Sequence, residues 1–154
     1  MSDDIYIGKK KLAAGGLIYA KDTKNILLLK RSAAVDNPFF WSELSGGMQV
    51  LESQIDTIER EASEELGYTG ALECHAVSRN ITNRVIYYGY LIVVPQEFNP
   101  VLQWEHTSYK WTTFDRLPQP IHPKLISKLP LYKTKIDQLF GATNEIKHYN
   151  NYFV

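Results

Sequence analysis

The stretch from Gly46 to Tyr68 constrains the fold more than any other part of this chain. It holds a glycine pair followed by an amphipathic run with punctuation at both ends. Ser53, with Asp56 three residues later, resembles a capping box, in which each residue satisfies the other's backbone N–H. Gly67 stands where a glycine ends a helix by turning left-handed. At about 100° per residue, Ile55, Ile58, Ala62 and Leu66 fall within an arc of about 80°. That apolar stripe is wide enough to dock on a sheet. The expectation is a glycine loop followed by a helix of about thirteen residues.

The same run concentrates charge. Glu52, Asp56, Glu59, Glu61, Glu64 and Glu65 face a single Arg60, in a chain whose 17 basic and 17 acidic residues cancel overall. On the helical wheel Glu61, Glu64 and Glu65 span about 100° on the flank and back of the helix. Like charges three and four residues apart repel by a few tenths of a kcal/mol per pair. Such a surplus is either a solvated helix face or a holder of a divalent cation. Hard cations such as Mg²⁺ take oxygen ligands and commonly use few carboxylates plus substrate phosphates. The glycines before the helix let backbone approach a ligand, because no side chain obstructs it. Spacing and loop together favour the cation.

Reading Gly46, five residues, Glu52, seven residues, Arg60-Glu61, Ala62, any residue, Glu64-Glu65, any residue, Gly67, Tyr68, the chain resembles the box of the Nudix hydrolase superfamily. Every polar and glycine position of that pattern matches. Ala62 and Tyr68 fill its hydrophobic slots, and the extra glycine, Gly47, follows Gly46 where the family commonly has one before it. Weaker similarity, including Trp111-Thr112-Thr113-Phe114-Asp115-Arg116-Leu117-Pro118, extends to about residue 140. The resemblance implies an α/β fold, a Nudix-type α/β/α sandwich with a mixed sheet between helices. It also implies Mg²⁺-dependent hydrolysis of the pyrophosphate bond of a nucleoside diphosphate linked to another group, with Mn²⁺ as a substitute cation. By resemblance, Glu61, Glu64 and Glu65 are the metal-binding set, completed by a carbonyl of Ser45 or Gly46. Arg60 pairs with Glu52 and orients the loop against the helix.

Outside the box, the resemblance points to Glu105 as general base or extra metal ligand; the plainer alternative is an exposed loop residue paired with Lys110. His106 beside it reads as a surface histidine. Arg31 resembles a phosphate-contacting position, with a salt bridge to Asp36 or Glu43 as the alternative. Phe39, Phe40, Trp41 and Tyr88 have the rings to stack on a base, a contact tolerant of base identity, or simply to fill the core. Arg79 and Arg84 flank a turn without selecting a ligand. Two rival functions remain open: a nucleotide-binding sensor of the same fold without catalysis, and removal of pyrophosphate from RNA 5′ ends. Loss of box carboxylates would favour the first, and they are all present. RNA backbone binding calls for a basic groove, which a formally neutral chain does not announce.

At 154 residues the chain has room for one domain, with 141–154 as a tail or closing segment. One cysteine, Cys74, excludes an internal disulfide and fits a reducing cytoplasm; it reads as a small core side chain. Residues 1–10 are too polar for a signal peptide, and no apolar stretch approaches a membrane span. Lys9-Lys10-Lys11 reads as a solvated strand edge. The expected partner is a small nucleotide, nucleic acid is disfavoured, and a homodimer is left open. Strands are expected over 12–20, 25–31, 71–79, 85–94 and 109–114, with 81–83 a turn. The run 26–29 is unbroken apolar sequence, as for a strand covered on both faces. Residues 123–140 are helical in pattern, with Pro130 marking a kink or boundary.

Overall fold

A computed structural model describes residues 4–141, so the expected tail lies outside the described residues beyond Gly141. In chain order the elements are β1 (Tyr6–Ile7), β2 (Lys10–Ala20), β3 (Ile26–Arg31), β4 (Trp41–Ser42), β5 (Leu44–Gly47), α1 (Gln54–Leu66), β6 (Glu73–Ile81), β7 (Val85–Val94), β8 (His106–Thr112), α2 (Pro123–Ile126) and α3 (Leu129–Phe140). The strands make one mixed sheet whose main path runs β4-β3-β2-β7-β6, with β1 and β5 paired to β2 and β8 to β3. Of the described pairings between these strands, only β2–β7 is parallel, running from Lys11↔Val85 to Ala20↔Val94, and an isolated parallel bridge joins Trp41 to Ile121.

Strand β2 explains much of this arrangement. Its C-terminal part pairs with β3 at Ile18 and Tyr19. Its earlier part, Ala13 to Gly16, pairs with β5 from Gly47 to Leu44. One strand edge therefore holds both the hairpin partner and the glycine loop. Side chains alternate between the two faces of the strands. Ala14, Ile18, Ala20, Leu27 and Leu29 join Ile58, Ala62 and Leu66 of α1 in one core. Leu17, Tyr19, Ile26 and Leu28 join Leu125 and Tyr132 in the other. The apolar run 26–29 is indeed covered on both faces, and the layers are helix, sheet, helix.

Helix α1 has the expected length and ends. The Ser53 hydroxyl accepts from the Asp56 N–H at 3.0 Å, and Asp56 accepts from the Ser53 N–H at 3.0 Å. Gly67 closes the helix at φ 66°, in the left-handed region that a side chain would disfavour. Its buried face is rotated from the expected one. Ile55 is 42% exposed, whereas Thr57, Glu61 and Glu65 are buried alongside Ile58, Ala62 and Leu66. Two carboxylates thus sit on the buried side of the helix.

Other boundaries shift for identifiable reasons. β8 begins at His106, not 109, because its pairing with β3 runs from Ile26↔Thr112 to Arg31↔His106. β6 continues through Ile81 because Ile81 pairs with Ile86; the turn is closed by Thr82, whose N–H reaches Val85 O at 2.9 Å and whose hydroxyl accepts from Val85 N–H at 3.0 Å. Pro130 lies in the first turn of α3, where its missing N–H costs no helical bond. Cys74 is half-buried against the α1-side core, and burial raises its pKa to about 11. Lys11 of the basic triplet bridges Asp4 at 2.9 Å. Among the described residues, no helix is long and apolar enough to cross a membrane.

Candidate active site

The glycine loop and α1 are tied by one arginine. Arg60 Nε donates to Glu52 Oε2 at 2.6 Å and Nη2 to Glu52 Oε1 at 3.1 Å, a two-pronged contact. Nη2 also donates to the Gly47 carbonyl at 2.7 Å. Nη1 reaches Glu61 Oε1 at 2.7 Å and Glu64 Oε2 at 3.2 Å. Glu52 Oε1 also accepts from the Gln49 N–H at 2.8 Å and the Thr57 hydroxyl at 3.0 Å. Hydrogen bonding from Arg60 is the main cause that keeps Glu52 below the usual carboxylate range. Reciprocally, the bond to Glu52 is foremost in raising the guanidinium's own pKa. Arg60 is therefore an internal fork, 19% exposed at its side chain, rather than a solvent-facing ion pair.

Gly46 lies directly on the Glu61 carboxyl. A Cβ there would come within 2.2 Å of Glu61 Cδ. Only glycine lets loop and carboxylate approach so closely. Beyond Glu61, the helix presents Glu65, and the turn before β8 presents Glu105. The Ser32 N–H binds the Glu105 carbonyl at 2.9 Å, anchoring that turn to the end of β3. Glu61 and Glu105 are the charged neighbours that act on the Glu65 carboxyl. Burial first, then the charges of Glu61 and Glu105, raises the Glu65 carboxyl to about 9. Burial likewise raises Glu61, against the pull of Arg60. Glu65 Oε2 and Glu105 Oε1 are buried without a hydrogen-bond partner. His106, expected on the surface, is buried, and burial lowers its pKa to about 4. Its place beside Arg31 in the β3–β8 pairing carries it inward.

Among the described residues, no three acidic, histidine or cysteine side chains already converge as a cation cage. Glu61 and Glu64 are turned to Arg60, their nearest cation, and the Glu64 side chain is 62% exposed. The oxygen-only donor set and the two orphaned buried carboxylate oxygens nevertheless fit a hard divalent ion. Buried polar atoms are ordinarily satisfied, and a cation beside Glu65 and Glu105 would satisfy both.

Next to the glycine loop opens a cleft of about 310 Å³, lined by Arg31, Ser45, Tyr87, His122, Lys124 and Lys128 among others. Arg31 Nε donates to the Asp36 carbonyl at 2.5 Å, and the Glu65 charge also acts on it. Neither carboxylate proposed as its salt-bridge partner holds it by a side-chain bond; Glu43 is engaged elsewhere. Phe40 packs edge-on to the His122 ring, 6.3 Å between centroids. Trp41 packs against the α3-side core, with Lys30 Nζ 6.0 Å from its ring centre. Tyr88, next to the cleft-lining Tyr87 but on the other face of β7, lies in a groove with Arg79 and Tyr90. The structure thus gathers Arg60, Glu52, Glu61, Glu64, Glu65, Glu105 and Gly46 together, with Arg31 adjoining, and leaves Tyr88 outside.

One buried cluster was not foreseen. Glu43 is paired with Lys128 and accepts from the Tyr132 hydroxyl, and also from the Tyr87 hydroxyl at 3.3 Å. Burial, then the Glu43 charge, raises both phenols, so they remain donors. The signals were faint but present: a lone Glu in an apolar stretch, and Lys128 three residues after Leu125 and four before Tyr132.

Comparison with known proteins agrees with this geometry. Residues 9–132 match the family profile described as NUDIX domain. A dihydroneopterin triphosphate diphosphatase of Escherichia coli K12 is 35% identical over 66 residues, covering 43% of this chain and 41% of that protein. The match thus spans less than half of that relative's length. A structure of the E. coli dihydroneopterin triphosphate pyrophosphohydrolase aligns with TM-score 0.54 at 26% identity, covering 66% of this chain and 79% of that one. A Nudix hydrolase of M. smegmatis, RenU, shares the fold with TM-score 0.72 at 16% identity, covering 87% and 89%. With its glycine loop, capped acidic helix and mixed sheet all in place, the chain belongs to the NUDIX domain family.

Proposed function

We propose that this protein is a divalent-cation-dependent pyrophosphohydrolase acting on a small nucleoside diphosphate derivative, with the cation held by Glu61, Glu64 and Glu65 and a carbonyl of the Ser45–Gly46 loop. The observation that carries the reading is the acidic surplus: Glu65 Oε2 and Glu105 Oε1 are buried and unpartnered beside Glu61. When bound, Mg²⁺ would neutralise charge developing on the phosphate oxygens and favour ionisation of the attacking water.

The chain's own residues supply the rest. Arg60 and Glu52 hold the loop against the helix, so Glu61 and the loop backbone stay in fixed relation. Arg31 offers a guanidinium fork to phosphate oxygens at the mouth of the cleft. Water attacks one phosphorus, the anhydride P–O bond breaks towards the leaving phosphate, and the water proton passes to a nearby carboxylate, for which Glu105 has an uncommitted oxygen. Dihydroneopterin triphosphate, named for relatives, is one candidate among nucleoside-type polyphosphates. A cytoplasmic setting belongs to this reading, supported by the single, half-buried Cys74.

The test is a substrate panel with Mg²⁺: nucleotide sugars, dinucleoside polyphosphates, ADP-ribose, FAD, NADH, nucleoside triphosphates and dihydroneopterin triphosphate. The expected result is phosphate-containing product from at least one, abolished by chelator. No turnover of any member, with the protein folded, would overturn the proposal in favour of a non-catalytic sensor.

A further inference from the structure

The Glu43–Lys128 pair is used neither in holding the box nor in contacting phosphate, yet it lines the cleft. It is deeply buried: Glu43 is 8% and Lys128 4% exposed. Burying an ion pair costs several kcal/mol per ion in desolvation, so such a pair is weak support for stability alone. Its hydrogen-bonding capacity is lopsided. A carboxylate has about four acceptor sites, and Glu43 already receives Lys128, Tyr87 and Tyr132. An ammonium has three donors. Lys128 Nζ gives one to Glu43 and lies near two ring faces, 4.3 Å from the centre of Tyr87 and 5.9 Å from that of Tyr132.

The pair is therefore neutral as a unit but rich in donors. A phosphate oxygen is a poor match, since its charge would meet the Glu43 carboxylate, and Arg31 already faces the cleft as the better phosphate cation. A neutral carbonyl oxygen is a good match. An exocyclic amino group in the same place would set donor against donor and leave a buried N–H unpaired, which costs about 1–3 kcal/mol. Sites built around one hydrogen-bonding pattern reject the analogue lacking it.

Resting on the hydrolase reading of this cleft, we infer that Lys128, positioned by Glu43, Tyr132 and Tyr87, reads a ring carbonyl of the substrate's heterocycle. The protein thereby prefers oxo-substituted bases over their amino counterparts.

Titration calorimetry with metal chelated separates binding from turnover. Wild-type protein is titrated with inosine and adenosine triphosphates, which differ by oxo against amino at one ring carbon, and with the corresponding uridine and cytidine pair. The oxo member should bind about tenfold tighter in each pair. Equal affinities, or tighter binding of the amino member, would overturn the inference. In the double variant Glu43→Gln with Lys128→Met, which removes both charges together and avoids stranding one, the ratio should fall to about one. A ratio that survives in the folded double variant would assign the preference elsewhere and also overturn it. Failure of the hydrolase reading would look different: no turnover in Mg²⁺ while the affinity ratio stands.

Discussion

The Arg60 knot and the Lys128 knot each bury a cation against acid, but they balance it differently. Arg60 serves three glutamates at once, with Glu65 and Glu105 lying beyond its reach in the contacts described. Lys128 serves Glu43 alone, and two phenols supply that carboxylate's other donors. The first arrangement has more carboxylates than cationic partners, which is the basis of the proposed divalent-ion site. The second is neutral and offers hydrogen-bond donors. On the proposed reading, one fold separates holding a metal from reading a ring, and Arg31 lines the cleft with Lys128 while feeling the charge of Glu65.

The sharpest way to break the comparison is to remove its central cation. Arg60→Ala strands Glu52 and Glu61, both largely buried at their side chains. Urea unfolding should show a loss of about 3–5 kcal/mol. Arg60→Lys should recover only part of it, because an ammonium cannot reproduce the two-pronged contact with Glu52. Unchanged stability in Arg60→Ala would mean that the knot does not hold the loop.

Glu65→Gln tests the surplus itself. Turnover should fall by a factor on the order of 10²–10³. The melting temperature should hold or rise, since burial and the neighbouring charges of Glu61 and Glu105 already disfavour the ionised group. A parallel loss of activity and stability would make Glu65 a structural residue. Smaller in effect, Gly46→Ala forces Glu61 from its place against the loop. About 1–3 kcal/mol of strain is expected, visible as reduced turnover with Glu61 displaced in the variant's structure. Smallest is Ser53→Ala, which removes the helix cap; about 1 kcal/mol should be lost in denaturant titration. Turnover per folded molecule should be unchanged, since the cap touches no site carboxylate.

Legibility in the sequence followed the range of the interactions. Helix α1 was readable to its caps because Ser53, Asp56 and Gly67 act on neighbouring backbone. The two-sided burial of β3 was readable because no polar residue interrupts 26–29. The rotation of α1 that buries Glu61 and Glu65 was not, because it depends on Gly46 standing against Glu61 across the loop. The depth of His106 and the start of β8 depended on pairing with β3, far away in sequence. Least readable was Glu43 with Lys128, 85 residues apart and joined only by the packing of α2 and α3 on the sheet.

The proposed function stands or falls with a divalent ion at the acidic surplus beside Gly46. Calorimetric titration of wild-type and Glu65→Gln protein with Mg²⁺, without nucleotide, tests it most directly. Saturable binding to the wild type is expected, with affinity on the order of 10–100-fold weaker in the variant. Equal affinity in both, or no binding to folded wild-type protein, would contradict it.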